Sequence, residues 1–560
     1  MEWVPGLALL RHRRGEGLRR DVIAGVVLAA LLVPQGMAYA ELAGVPAVTG
    51  LYATVVPLAV YFLLGPSRIL VLGPDSAVSP LVAAAIVPLA LPGDDSSRIA
   101  LAGLLAIMVG AIMFAGGVAR FGFVTELLSM PVRLGYLMGI AVTVIAAQLP
   151  KLFGFSVDSE KFIASVREFL ERLDETNATA LAIGVASIAI ILGLRRVAPR
   201  VPGVFLAVVL ATAAVAALGL ADDLPVVGDV PAGLPQLGVP DVGLDDIGTL
   251  LPAAVGIAFV AFTDTSILSR SYAGRLHDDV DQNRELAVLG VANIATGFFQ
   301  GFPTSTSSSR TAVAEDVGAG SQIAGLVGAA VLALLLLVGT GLVHDLPQAA
   351  LAAIVIVAVL SFIDIAALRQ LRRWRRSEFV LALLAFAGVA VLGVLWGVGI
   401  AIAVSLLNFI RRAWRPHDAV LGRVDNLKGY HDTERYPDAR RIPGLVLYRF
   451  DAPLFFANAD AFRARVRSLA RSGDVRWIVV AAEPITDIDA TAGESLRALD
   501  DELDETGVEL VFAELKDPVR DRLRRYGLDD GIKRFYPTIG VAVAAYLRET
   551  GVDWVDWEDG

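Results

Sequence analysis

The chain has 560 residues, 55% of them hydrophobic, a formal net charge of −10 and a mean hydropathy of +0.63. That is too apolar for a soluble protein of this length, and the lack of cysteine excludes disulfides, thiolate metal sites and a cysteine nucleophile. No basic patch interleaved with aromatics occurs, which argues against nucleic acid as a partner.

Apolar runs dominate residues 22–410, and a soluble composition begins near 411. Residues 1–20 are basic, with Arg11, Arg13, Arg14, Arg19 and Arg20, and are expected in the cytoplasm. The first apolar run continues into Pro-Gln-Gly rather than a small-residue cleavage site, so no cleaved signal is expected. A first span at 21–40 contains PQGMAYA, where Pro34 removes a backbone donor and should disturb the helix. Gln35 and Tyr39 stand one turn apart and share a face. A second span covers 48–64. Residues 69–72 read as a short strand, Gly73-Pro74 breaks the chain, and Asp75 or Ser76 is the expected N-cap of a helix ending near 91.

Further spans are expected at 100–118, 127–148, 178–194, 204–220, 251–269, 286–299, 312–317 with a preceding extended piece, 323–343, 348–362, 379–395 and 397–409. The total is fourteen, the third and tenth being broken. With the N-terminus inside, the exits of even-numbered spans carry Arg120; Arg195, Arg196 and Arg200; Arg270, Arg275 and Arg284; Arg369, Arg372, Arg373, Arg375 and Arg376; and Arg411, Arg412 and Arg415. Acidic stretches at 94–95, 158–175 and 222–246 fall on the other side. The expectation is a multi-pass protein of the cell membrane with both termini cytoplasmic. Seven spans per half would make two halves inverted repeats, with YAELAG (39–44) and SRSYAG (269–274) as weak internal echoes.

Beyond the membrane part, strands at 445–450, 477–482 and 508–513 alternate with helices at 459–471, 491–505 and 537–549, a small α/β domain. The expected organisation is a cytoplasmic segment 1–20, a transport domain 21–412, a linker 413–441, the α/β domain 442–550 and a loosely ordered acidic tail 551–560.

The chemistry concentrates in GFPTSTSSSRTA (301–312), six consecutive hydroxyl residues followed by Arg310 among apolar spans. Such a stretch cannot face lipid and must face protein or a water-filled cavity. Ser307 and Ser309 alternate along an extended chain, and their hydroxyls with half-helix N–H groups suit an oxyanion. Two helix starts and Arg310 together supply about two positive charges. Asp75 lies at the other helix start, as competitor or simple cap. Asp264, in AFTDTS (261–266), reads as proton carrier, sodium ligand or partner of Arg310. Two acids against one base would leave a bound dianion uncompensated, which points to coupling with H⁺ or Na⁺. No histidine pair has metal-ligand spacing, the serines lack a nearby histidine, and no P-loop occurs, so neither an enzyme, a cofactor nor ATP-driven transport is expected.

DVIAGVVLAALLVPQGMAYAELAGVPAVTGLY (21–52), GPSR (65–68), GPDSA (73–77) and the 301–312 stretch resemble the SulP family of anion permeases. PGLVLYRFDAPLFFANA (443–459) and TDIDATA (486–492) resemble the STAS domain of that family. The resemblance implies fourteen spans in two inverted repeats, core and gate subdomains, an elevator-like motion and a homodimer. It implies an anion site between the third and tenth spans, at Gln35, Tyr39, Asp75, Ser76, Ala77, Ser307, Ser308, Ser309 and Arg310, with the coupling acid at Asp264. Where family members often read GSFSR, this chain has Thr306 and Ser308 in place of glycine and phenylalanine; Asp at 264 matches the bicarbonate-transporting branch. Thr491 falls where related anti-sigma antagonists carry a phosphorylated serine, and its plainer reading is a helix-start hydroxyl. The implied function is secondary active transport of a small inorganic oxyanion, sulfate first and bicarbonate second. Alternatives are an anion exchanger or dicarboxylate transporter of the same family, a nucleobase permease, or a membrane-anchored STAS scaffold binding a cytosolic protein.

Overall fold

The computed structural model describes residues 5–6, 9, 15–91, 93–123, 129–157, 162–198, 201–527 and 534–557. Arg11, Arg13, Arg14 and Arg200, and the first residues of the span expected at 127–148, lie outside them. The chain forms two compact units, Met1–Ser405 and Leu406–Gly560.

The first unit is helical. Its elements are α1 (Glu16–Leu42), α2 (Ala47–Leu64), β1 (Leu72–Gly73), α3 (Ser79–Ile86), α4 (Asp95–Val118), α5 (Met130–Leu152), α6 (Phe162–Glu171), α7 (Ala178–Val197), α8 (Gly203–Leu218), α9 (Leu244–Leu276) and α10 (Gln282–Phe298). They continue with β2 (Ser305–Thr306), α11 (Ser308–Asp316), α12 (Ile323–Val338), α13 (Gln348–Leu360), α14 (Ile365–Trp374), α15 (Arg376–Leu392) and α16 (Val394–Trp414), the last crossing the boundary between units. Six helices among the described residues, α1, α2, α4, α5, α7 and α9, are long and apolar enough to cross a membrane, as is the stretch Gln348–Trp374 that holds α13 and α14; α8 and α12 are shorter apolar helices.

Two packed groups make up this unit. One holds α1–α4 and α9–α12; the other holds α5–α8, α13 and α15. Contacts between the groups run through α1, which meets α8 and α13. Within the first group α4 and α10 lie backbone to backbone. A Cβ on Gly290 would meet the Gly110 carbonyl oxygen at 2.6 Å, and one on Gly297 would meet that of Gly103 at 2.4 Å. Both pairs are seven residues apart along their helices, so one stripe of small residues sets the close approach.

Several elements differ from expectation. Pro34 lies inside α1, which is continuous across it. The third-span strand is Leu72–Gly73 rather than 69–72, because its partner β2 has only two residues. Its helix starts at Ser79 with Val78 at the cap, and neither Asp75 nor Ser76 caps it; Asp75 Oδ2 instead accepts the N–H of Ala77 at 3.0 Å. The tenth-span helix starts at Ser308, four residues before the expected 312, so part of the hydroxyl run is its first turn. Serine favours helix starts because its hydroxyl can bond the backbone groups that the first turn leaves free. The short helices α6 and α14 went unread, being amphipathic pieces between apolar spans.

In the second unit six strands run in the order β4-β3-β5-β6-β7-β8: β3 (Asp418–Arg423), β4 (Tyr430–Asp432), β5 (Leu445–Phe450), β6 (Trp477–Ala481), β7 (Glu509–Ala513) and β8 (Phe535–Tyr536). The pairs β5–β6, β6–β7 and β7–β8 are parallel; β3 is antiparallel to both neighbours. Helices α17 (Ala459–Ala470), α18 (Ala490–Glu505) and α19 (Asp517–Arg525) cover one face. Helix α20 (Ile539–Thr550) covers the other through Ala542, Val543 and Tyr546. Residues 413–441, read as a linker, contain β3 and β4, because Ala419 and Leu421 alternate inward onto the sheet. The tail is docked over its described part: Arg423 pairs with Asp556 at 2.8 Å, and the Arg440 guanidinium stacks 4.8 Å from the Trp554 ring.

The glycine stripe makes a direct prediction. Gly290→Val would force α4 and α10 apart and should cost about 1–3 kcal/mol. A lower midpoint in thermal unfolding followed by size-exclusion chromatography would show it; an unchanged midpoint would mean that the helices do not pack as described.

Candidate functional site

Two chain breaks meet inside the first unit. Strands β1 and β2 pair antiparallel, Leu72 opposite Thr306 and Gly73 opposite Ser305. The N–H of Ser307 adds a bond to the Val71 carbonyl at 3.1 Å, and the Val71 N–H donates to Thr311 Oγ1 at 3.1 Å. Each break therefore satisfies the backbone of the other, as a non-helical segment in an apolar setting requires.

Only part of the hydroxyl run is left for a ligand. The Thr304 N–H donates to Asn293 Oδ1 at 2.7 Å, and Asn293 Nδ2 donates to the Thr304 carbonyl at 3.1 Å. Thr306 Oγ1 donates to Thr265 Oγ1 at 3.1 Å. Ser307, at the N-cap of α11, makes no cap bond; its hydroxyl meets that of Ser309 at 3.2 Å. The first-turn N–H groups of α11 have no intrahelical partner and carry the positive end of the helix dipole.

Arg310 is fully buried. Its Nη2 donates to the Pro74 carbonyl across the junction at 2.6 Å, while Nε and Nη1 have no partner. It forms no ion pair within 4.0 Å among the described residues, so Asp264 is not its salt-bridge partner. The guanidinium lies against Gly73, whose φ is 149°; a Cβ there would come within 2.9 Å of Nη1. Glycine is required on both counts, for the backbone angle and for the room.

The junction closes one end of a cavity of about 960 Å³. Gln35, Tyr39, Asp75, Ser76, Asp264, Ser307, Ser308, Ser309 and Arg310 all line it. Gln35 presents a buried amide oxygen without a partner. Ala77 does not line it: it is buried, and its N–H is turned onto Asp75. Thr491 belongs to the second unit. It is exposed in the first turn of α18, whose cap is Asp489, accepting the Ala492 N–H at 2.8 Å.

Sequence reasoning missed Arg133, on the first turn of α5, which lines the cavity and faces Asp264 electrostatically. Arg195, read only as a loop charge at a span exit, and Asp316, not read at all, are exposed and line the cavity too. The inner charges are thus Asp75 and Asp264 against Arg133 and Arg310, a balanced set rather than two acids against one base. An arginine one turn into an apolar helix was the available signal for Arg133. Buried Glu285 was missed as well. It accepts hydrogen bonds from Tyr61, from Ser67 at 2.7 Å and from Ser269 at 3.2 Å, and joins α2, α9 and α10 away from the cavity. No group of three or more metal-ligating side chains occurs among the described residues.

The chain is similar to several known proteins. Residues 18–385 match the sulfate permease family and residues 436–542 the STAS domain. A protein of Mycobacterium tuberculosis named "Probable sulfate transporter" is 42% identical over 551 residues, 98% of each chain. Human solute carrier family 26 member 6 is 33% identical over 485 residues, 82% of this chain and 63% of that protein. The murine solute carrier 26 member A9 anion transporter, solved in an inward-facing state, superposes with a TM-score of 0.90 at 23% identity, covering 98% of this chain and 94% of that one. The transmembrane domain of a cyanobacterial bicarbonate transporter superposes with a TM-score of 0.60 at 21% identity, over 70% of this chain and 98% of that domain. The chain belongs to the sulfate permease family, a family of membrane anion transporters rather than enzymes, and carries a STAS domain.

Proposed function

We propose that this chain is a secondary active transporter of a small inorganic oxyanion, sulfate first and bicarbonate second. The observation that carries the reading is Arg310, buried without a carboxylate partner beside an uncapped helix start and open serine hydroxyls. An oxyanion there would accept from the Ser308 and Ser309 hydroxyls and the first-turn N–H groups of α11, and the nearby guanidinium would offset its charge. Gln35, Tyr39 and Ser76 would close the site. The small Ser308, exposed to the cavity, leaves room for a hydrated or larger oxyanion.

Coupling to H⁺ or Na⁺ at Asp264 is part of the proposal, on altered grounds. Because Arg133 balances the inner charges, a bound dianion would add two uncompensated charges to a neutral set, and one cation at Asp264 would halve them.

The transport cycle we propose is elevator-like, with fourteen spans in a seven-plus-seven inverted repeat, spans three and ten broken, both termini cytoplasmic and a homodimeric assembly. The antiparallel β1–β2 pair supports related halves, and the two packed groups of helices support a core and a gate. On that topology the cavity opens to the cytoplasm, since Arg133, Arg195, Asp316 and Ser361 line it. At the opposite end Lys151 of α5 pairs with Glu41 of α1 at 3.0 Å, one residue from each group, and would hold the outer side closed.

Labelled-anion uptake into proteoliposomes tests the reading. Sulfate should enter best, Arg310→Ala should abolish entry, and Asp264→Asn should remove the dependence on pH or sodium. If both variants transport like the parent, the site is elsewhere. Gly73→Ala should displace the guanidinium and lower uptake about tenfold to a hundredfold without loss of expression; normal uptake would contradict the fit described for Arg310.

The closing pair has its own test, helped by the cysteine-free sequence. Val45, buried beside this pair, becomes the reporter as Val45→Cys. Its maleimide labelling should rise about fivefold with Glu41→Gln, the shift expected when ~1 kcal/mol is lost. The swap of Glu41→Lys with Lys151→Glu should restore the slow rate. Labelling that ignores both changes would rule out a closing role.

A further inference from the structure

The helix α14 takes no part in the cavity beyond its N-terminal approach. Its sequence is IAALRQLRRW, begun by Asp364, which accepts the Ala367 N–H at 2.8 Å. Four residues separate it from α13 and a single residue, Arg375, from α15. Both neighbours are apolar and are read above as spans, so these short connectors hold α14 at a bilayer surface.

Its two faces differ sharply. Leu371 is buried, and Ala367 and Leu368 are half-buried on the same side. At 100° per residue Arg369, Arg372 and Arg373 fall within one arc on the other side, and all three are exposed. They stand three and four residues apart, a spacing at which like charges destabilise a helix. None of the three has a carboxylate within 4.0 Å among the described residues, whereas neighbouring Arg375 reaches Glu378 at 3.7 Å. Trp374 ends the helix with 68% of its surface exposed, between the arginine arc and the apolar side. Tryptophan at that level suits the headgroup region, where one edge is wet and the other apolar.

We propose that the arginine face of α14 binds anionic lipid headgroups, Arg369, Arg372 and Arg373 taking the phosphates and Trp374 entering the boundary between headgroups and acyl chains. An amphipathic segment with this charge and this aromatic edge matches an anionic surface and would relieve its own like-charge repulsion by occupying it. The proposal rests on reading α13 and α15 as membrane spans, and it is independent of which anion is carried.

The test uses the full-length protein in vesicles. Tryptophan fluorescence is recorded with phosphatidylglycerol or phosphatidylcholine brominated near the headgroup, at equal mole fraction. The same measurement on Trp374→Phe isolates this residue from the other tryptophans. Quenching of Trp374 by the anionic lipid should exceed that by the zwitterionic lipid at least about twofold, and the excess should fall as salt is raised. The triple variant Arg369→Gln, Arg372→Gln, Arg373→Gln should lose the excess. Equal quenching by the two lipids, or an excess that survives the triple change, overturns the proposal while leaving the transport reading intact. No quenching by either lipid also overturns it, since protein would then cover the face. If the triple variant does not reconstitute, the salt titration on the parent decides.

Discussion

A chain that leaves helical conformation inside an apolar bundle must find partners for its backbone, and here the two breaks find each other. The ladder between β1 and β2 is only two residues long, extended by the Ser307 N–H on Val71. Everything distinctive about the site follows from that pairing. It brings the Gly73–Pro74 break against the start of α11, fixes Gly73 in a conformation open to glycine, and leaves the space that the Arg310 side chain fills. Asn293 holds the approach to β2 from α10, so the pairing is anchored in the same group of helices that the glycine stripe binds together.

The buried guanidinium then defines the electrostatics. A charge out of contact with water needs compensation, and one carbonyl bond to Pro74 supplies little. Asp75 acts on it electrostatically and Asp264 and Arg133 line the same cavity, an inner set of two acids and two bases with no direct ion pair to Arg310 among the described residues. On the proposed reading a mobile anion is its partner, supplying the missing acceptor while bound and leaving with the cycle. A permanent carboxylate partner would have held the arginine but closed the site.

Much of this was legible beforehand because the strongest signals are local. Proline and glycine at 73–74 and at 301–303, followed by hydroxyls, marked both breaks, and an arginine after six hydroxyl residues marked the charge. The long apolar helices and the alternating strands and helices of the second unit were likewise local patterns. What escaped depends on tertiary placement. Arg133 sits on α5, far in sequence from the residues it faces, and no spacing rule connects them. Glu285 is buried by hydroxyls from three other segments. Strands β3 and β4 read as linker until β3 pairs with β5 on one side and with β4 on the other. The acidic tail gains order from Arg423 and Arg440, which the tail's own composition does not reveal. Ala77 lay inside a recognisable motif, yet its N–H is already taken by Asp75.

The central claim is that the oxyanion rests at the junction of the two breaks. Selenate, a sulfate isostere with a strong anomalous signal, locates it directly in crystals of the protein. The peak should lie within hydrogen-bonding distance of Ser308 or Ser309 and on the guanidinium side of Gly73. A peak only beside the Glu41–Lys151 pair, where Arg98 also lines a smaller cavity, would contradict it.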